Sequence, residues 1–152
     1  MSEFDVIVLG AGLAGYCASL SAAENGGTVL LVEKCPEGGG STVLSGGFMA
    51  FAQTPLQCRL KIDDSPQLLL EDLRTVGGPH VLDELLRTYV AEQGDLYAWL
   101  TAKGLRFERV ELSAGQSAPR SHAIDPGGIR DGHTLSWSGI GCFLLGCGKY
   151  FV

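Results

Sequence analysis

The most constraining feature of this chain is a glycine triplet set between two different kinds of secondary structure. Gly10-Ala-Gly12-Leu-Ala-Gly15 follows directly on Asp5-Val-Ile-Val-Leu9, a continuous apolar run rich in β-branched residues. Such a run predicts a strand buried on both faces. The residues after the triplet, Leu13 to Glu24, are small and apolar at Ala14, Ala18, Ala22 and Ala23. They predict a helix packed close to a sheet, stopped by Asn25-Gly26-Gly27. Thr28-Val-Leu-Leu-Val-Glu33 then reads as a second buried strand ending in a carboxylate. Strand, glycine turn, helix and parallel strand within about thirty residues make one βαβ unit.

Each part of that unit has a physical task. Gly10 permits the tight turn, Gly12 lets a pyrophosphate approach the backbone, and Gly15 lets helix and strand pack closely. The helix start offers free N–H groups and a positive dipole end to phosphate. Glu33, 23 positions beyond Gly10, is placed to accept both hydroxyls of an adenosine ribose. The competing reading is a plain glycine turn with Glu33 at a strand end on the surface. The strand before and the helix after the triplet favour dinucleotide binding. A carboxylate at Glu33 would repel a 2′-phosphate, which disfavours NADP.

The next loop bears on which dinucleotide. An NAD dehydrogenase would go on with further βα repeats, whereas Gly38-Gly-Gly-Ser-Thr-Val-Leu-Ser-Gly-Gly47 supplies backbone amides and the hydroxyls of Ser41, Thr42 and Ser45. Such a loop suits the second phosphate and ribityl chain of a longer cofactor. Phe48-Met-Ala-Phe51 behind it reads as an apolar helix start. Ser65-Pro66 opens a helix with an N-cap and an N1 proline that runs to Gly77-Gly78. Two further helices are predicted over Val81–Gln93 and Leu96–Lys103, broken at Gly94. From Arg106 to Arg120 a short strand gives way to loop, and the Arg120–His122 pair reads as exposed loop side chains rather than as a substrate mouth.

Composition narrows the classes. The chain has 152 residues, 22 of them glycine, with 17 acidic against 11 basic side chains. A net charge of −6 leaves no basic stripe for a nucleic acid. Eight carboxylates between Asp63 and Asp95 face only Arg74 and Arg87, which reads as a solvated helical face. The N-terminus has no basic n-region, and no apolar segment approaches the ~20 residues of a membrane span. The five cysteines are irregularly spaced; Cys142 and Cys147 find no second pair, so no metal site is expected. Reduced, mostly buried thiols and a cytoplasmic location are expected, with Cys35 packing near the adenine. His80 and His133 belong to no pattern.

Together, Asp5–Gly15, Val32-Glu33-Lys34 and Gly39-Gly-Ser-Thr-x-x-Ser-Gly-Gly47 resemble flavoproteins of the succinate dehydrogenase/fumarate reductase type. That group includes soluble fumarate reductases, ketosteroid dehydrogenases and tricarballylate dehydrogenase-like enzymes. The resemblance covers residues 4–52, extends through the helical stretch 65–104 and Gly104-Leu-Arg-Phe107, and reaches an Arg-x-His segment within Pro119–Gly128. It implies an α/β, Rossmann-like FAD/NAD(P)-binding fold, a parallel sheet with helices, present here incompletely. It implies FAD held through Gly10, Ala11, Gly12, Leu13, Ala14, Gly15, Glu33 and Lys34 at the ADP half. Gly40, Ser41, Thr42, Ser45, Gly46 and Gly47 would serve the pyrophosphate and flavin side, with Phe48 and Met49 near the isoalloxazine. Members that attach FAD covalently do so through a histidine where this chain has Gly40, so non-covalent FAD is expected.

Residues 1–128 are thus expected to be the N-terminal part of an FAD-binding domain, and 129–152 an atypical tail, abnormal or disordered. The capping domain that holds the family's catalytic residues is too large for the stretch after Gly128. The chain reads as a truncated or out-of-frame product of a longer flavoprotein, or as a short protein whose tail completes the sheet. No catalytic residue is assigned, and FAD binding is expected to be weak. The function implied is the FAD-binding part of an oxidoreductase moving hydride at a carbon–carbon bond of a small-molecule substrate. A non-catalytic NAD or ADP-ribose binding module, or an inactive fragment, is the alternative.

Overall fold

A computed structural model describes residues 3–36, 38–45 and 47–124. The expectations on the tail, on the end of the Pro119–Gly128 segment and on Gly46 lie outside these residues. The chain divides at Gly47 into two units.

The described part of the first unit is the predicted βαβ. Strand β1 (Val6–Leu9) is followed by helix α1 (Leu13–Glu24) and strand β2 (Val29–Val32). The strands pair in parallel with Val6 opposite Val29 and Leu9 opposite Val32. Alternation along each strand sends Val8 and Leu31 to one face. There they form a cluster with Ala11 and with Tyr16 of α1. The helix ends at Asn25, as its Asn-Gly-Gly sequence predicts. One expectation is corrected. β1 is not buried on both faces: Ile7 is 60% and Leu9 80% exposed. Among the described residues β1 pairs only with β2, and α1 covers the Val8 side, so the Ile7–Leu9 side stays open.

The second unit is an antiparallel sheet with helices. Its strands are β3 (Phe48–Ala50), β4 (Phe107–Glu111) and β5 (Ser121–Ile124), in the order β3-β5-β4. Between β3 and β4 run α2 (Pro55–Arg59), α3 (Pro66–Gly77) and α4 (Asp83–Ala102). The core gathers Phe51, Leu56, Leu100, Leu105 and Phe107. Ser65 caps α3 as predicted, its hydroxyl accepting from the Leu68 N–H at 3.1 Å. Three sequence expectations change. Phe48–Ala50 is a strand rather than a helix start, because its backbone pairs with Ser121–Ala123. β5 itself lies where the sequence suggests loop. The two helices expected around Gly94 are one helix, α4. An isolated glycine costs a helix only about 1 kcal/mol. That cost is offset here because Gln93 and Leu100 bury the face on either side of Gly94. Gln93 pairs with both backbone groups of Ala52, accepting from its N–H at 3.0 Å and donating to its carbonyl at 3.2 Å.

Candidate cofactor site

The glycine triplet continues the β-ladder and then breaks it. Gly10 donates to the Val32 carbonyl at 2.7 Å and turns with φ +99°, a conformation that L side chains rarely adopt. The first intrahelical bond of α1 runs from the Tyr16 N–H to the Gly12 carbonyl at 3.0 Å. The N–H groups of Leu13, Ala14 and Gly15 therefore stand ahead of the helical ladder and need other acceptors. Gly15 meets the reason given for it: a Cβ there would sit on the Gly10 carbonyl oxygen.

Two outside groups brace this turn. Glu33, immediately after β2, spans two backbone donors: its carboxylate accepts from Ala11 N–H at 2.7 Å and from Cys35 N–H at 3.0 Å. The Ala11 bond, followed by the Cys35 bond, holds the Glu33 carboxyl below its ordinary pKa, against the opposing effect of desolvation. The second brace is the glycine-serine loop. Gly39 donates to the Ala11 carbonyl at 2.6 Å, Thr42 N–H donates to the Gly39 carbonyl at 3.0 Å, and the Thr42 hydroxyl accepts from Leu13 N–H at 3.2 Å. That loop forms a 3-10 turn over Gly40–Ser45. Residues 29 positions apart in sequence thus share the first turn of one helix.

Of the predicted set, the structure brings together Gly10 to Gly15, Glu33, Gly40, Ser41 and Thr42. Lys34 is exposed, and Gly47 takes φ +81° at the end of the loop. The Ser45 side chain and Gly46 lie outside what is described. Gly39 lies in the loop that the sequence singles out for its backbone amides but is not among the residues assigned to the cofactor, and its own N–H is spent on the Ala11 carbonyl. The space where a Cβ on Gly10 or Gly40 would project is open, with nothing within 4 Å. Open backbone, unladdered N–H groups and a pre-ionised carboxylate suit the ADP half of a dinucleotide.

Two readings of polar residues are overturned in the second unit. Arg120 and His122 are not exposed loop residues; both are fully buried. The Arg120 guanidinium grips Asp64 with two donors, Nη2 at 2.8 Å and Nε at 3.1 Å, and Asp72 with Nη1 at 2.7 Å. Asp64 and Asp72 are accordingly not part of a solvated acidic face. Burial pushes Asp72 up, but the Ser117 N–H and hydroxyl, with Arg120, bring it below its ordinary value. Sequence spacing gave no sign of pairs 48 and 56 residues apart. The thiols among the described residues also differ from expectation: Cys35 and Cys58 are exposed, and Cys17 is partly buried. Among the described residues no His, Cys, Asp and Glu group could hold a metal ion, and no helix is long and apolar enough to cross a membrane.

Comparison with known proteins agrees with the geometry. Residues 5–141 match the family model described as an FAD binding domain. The fumarate reductase (cytochrome) of Shewanella frigidimarina is 39% identical over 119 residues, covering 78% of this chain and 21% of that protein. A flavocytochrome c3 fumarate reductase in an open conformation superimposes with TM-score 0.79 at 29% identity, over 94% of this chain and 24% of its own. The 3-ketosteroid-Δ4-(5α)-dehydrogenase of Rhodococcus jostii RHA1 does so with TM-score 0.75 at 28% identity, over 94% and 35%. The chain therefore spans between a fifth and about a third of the length of these relatives. With the matching model spanning most of its length, this chain belongs to the FAD-binding domain family.

Proposed function

We propose that this chain is the FAD-binding part of a flavin-dependent oxidoreductase that moves hydride to or from a carbon–carbon bond of a small molecule. The observation that carries the reading is the brace between Glu33, Ala11, Gly39 and Thr42, which holds the glycine turn and the second loop as one surface. The Ala14 and Gly15 N–H groups point phosphate to the start of α1. The Glu33 carboxylate retains acceptor capacity beyond its two backbone bonds, enough for the two vicinal hydroxyls of an adenosine ribose. Lys34 lies beside it. Gly40, Ser41, Thr42, Ser45, Gly46 and Gly47 serve the second phosphate and the flavin side.

When bound, the flavin supplies the hydride chemistry, and the protein contributes position and polarity. Gly40 carries no nucleophile, so FAD is held non-covalently. The reaction class rests on the names of the relatives, a reductase of fumarate and a dehydrogenase of a ketosteroid. Three free thiols among the described residues suit a cytoplasmic protein.

The test is to pass the purified chain, mixed separately with FAD, NAD and ADP, through a desalting column and to record spectra and retained nucleotide. Retained flavin bands, or ADP binding displaced by FAD, support the reading. Retention of NAD with no affinity for FAD would make the chain a regulatory nucleotide module instead. A folded chain that binds none of the three refutes the proposal.

A further inference from the structure

We propose that His122 is the proton-operated latch of β5: neutral, it closes a buried ring of hydrogen bonds that ties β5 to α2, and protonated, it opens that ring. This inference concerns the second unit alone and is independent of the flavin reading.

The ring can be followed atom by atom. His122 Nδ1 lies 2.7 Å from the Arg120 carbonyl oxygen. A carbonyl only accepts, so Nδ1 carries the imidazole proton and Nε2 is left as an acceptor. Nε2 lies 2.8 Å from the Thr54 hydroxyl, which donates its single proton there. The same Thr54 oxygen accepts from the Gln57 N–H at 3.1 Å. Gln57 Nε2 donates onward to Asp64 at 2.8 Å, and Asp64 is gripped by Arg120, which closes the ring. Every donor in this circuit meets an acceptor.

A second proton on His122 spoils that match. Nε2–H would then face the Thr54 O–H, and the hydroxyl proton would have to swing away. The acceptor within reach is Gln57 Oε1, a longer contact at 3.3 Å on an oxygen that the hydroxyl would share with the Thr54 N–H at 2.9 Å, so the hydroxyl gives up its short bond to Nε2 for a weaker one. Nor is there solvent to absorb the new charge, since His122 is fully buried. Rings of Phe51, Tyr97 and Phe107 enclose it with centroids 5.5 to 5.6 Å away. The groups facing it from each neighbouring element can be weighed. Thr54, the N-cap of α2, and Gln57 within it are uncharged; α4 presents Tyr97, whose hydroxyl is pushed up by burial. The pairing residues on β3 and β4 are Met49 and Val110. Asp64 draws a proton toward the ring, but its charge is already shared with Arg120, itself shared with Asp72. Burial therefore outweighs Asp64 and the Arg120 carbonyl, and holds the imidazole below its ordinary range. Because β5 is the central strand, opening the ring loosens its pairing with both β3 and β4.

The sign comes from linkage. A histidine kept neutral when folded binds more protons unfolded, so its contribution is complete above about pH 6.5 and declines as pH falls below that value. The test uses the full 152-residue chain and its His122→Asn variant. Imidazole nitrogen NMR should show the Nδ1–H tautomer, still neutral at ~pH 6.5, where an exposed imidazole is half protonated. Urea titrations between pH 5 and pH 8 should show the unfolding constant of the native chain rising by up to about tenfold per pH unit below 6.5, relative to the variant. An Nε2–H tautomer, half protonation at about 6.5 or above, or the same pH slope in both chains would each overturn the latch. If His122→Asn does not fold, the NMR titration of the native chain decides alone.

Discussion

Replacing Arg120 by methionine tests the energetics of the second unit most sharply. The guanidinium is fully buried and makes three charge-assisted hydrogen bonds, two to Asp64 and one to Asp72. Methionine fills much of the volume but leaves Asp64, whose side chain is also fully buried, without its cation. Among the described residues, the Gln57 side-chain amide and the Ser65 N–H then remain to Asp64. Asp72 suffers less, because it keeps 18% exposure and both Ser117 donors. Breaking one side of a buried ion pair costs about 3–5 kcal/mol, or roughly two to three and a half powers of ten in the folding constant. That is a large part of the ~5–15 kcal/mol that holds a typical domain together. Urea unfolding followed by far-UV circular dichroism should therefore show a much lower midpoint at unchanged slope. Adding Asp64→Asn should restore part of the loss, since the orphaned charge is then gone. A cost below about 1 kcal/mol, the scale of an exposed pair, would refute the reasoning.

Other outcomes rest on single contacts. Gly15→Ala drives a Cβ into the Gly10 carbonyl, so thermal melting should fall by the equivalent of about 1–3 kcal/mol and nucleotide retention should be lost. Gly94→Ala adds a methyl to an open, exposed position inside α4 and should stabilise the chain by about 1 kcal/mol without touching nucleotide binding, as paired melts would report. Glu33 has its folded pKa lowered by the Ala11 and Cys35 N–H groups. Its contribution is therefore complete above the unfolded value of 4.5 and is lost as pH falls through the lower folded value. Melting curves across that acid window should slope less in Glu33→Gln, and the same variant should discriminate less between ADP and a 2′-phosphorylated analogue.

How much of the molecule is legible in its sequence depends on whether a feature is local. The βαβ unit is readable because each signal sits next to its consequence: apolar run, glycine turn, small-residue helix, Asn-Gly-Gly stop. Ser65-Pro66 announces α3 for the same reason. The open side of β1 is not readable, since an apolar run records what a strand is suited to bury and not what covers it. Gly94 misleads because helix propensity is weak beside tertiary packing, and Leu100 and Gln93 hold the helix straight through it. Arg120 and His122 look like surface polar residues until Asp64, Asp72 and Thr54 come around them from positions 48 to 68 residues away. In the candidate cofactor site, spacing points to Gly10, Gly12, Gly15 and Glu33, and the hydroxyls of the glycine-serine loop point to Thr42, while the bond from Gly39 to Ala11 is a backbone contact that no side-chain pattern encodes.

In the proposed function, the glycine turn, Glu33 and the 3-10 loop form one receptor for the ADP half of FAD. The most direct measurement is an amide-shift titration of the isotopically labelled chain with ADP and then with FAD. The largest changes are expected at Ala11 to Gly15, at Glu33 to Cys35 and at Gly39 to Thr42, with FAD adding shifts toward Gly47. Saturating ADP that moves none of these amides, or moves only residues elsewhere in the chain, would contradict it.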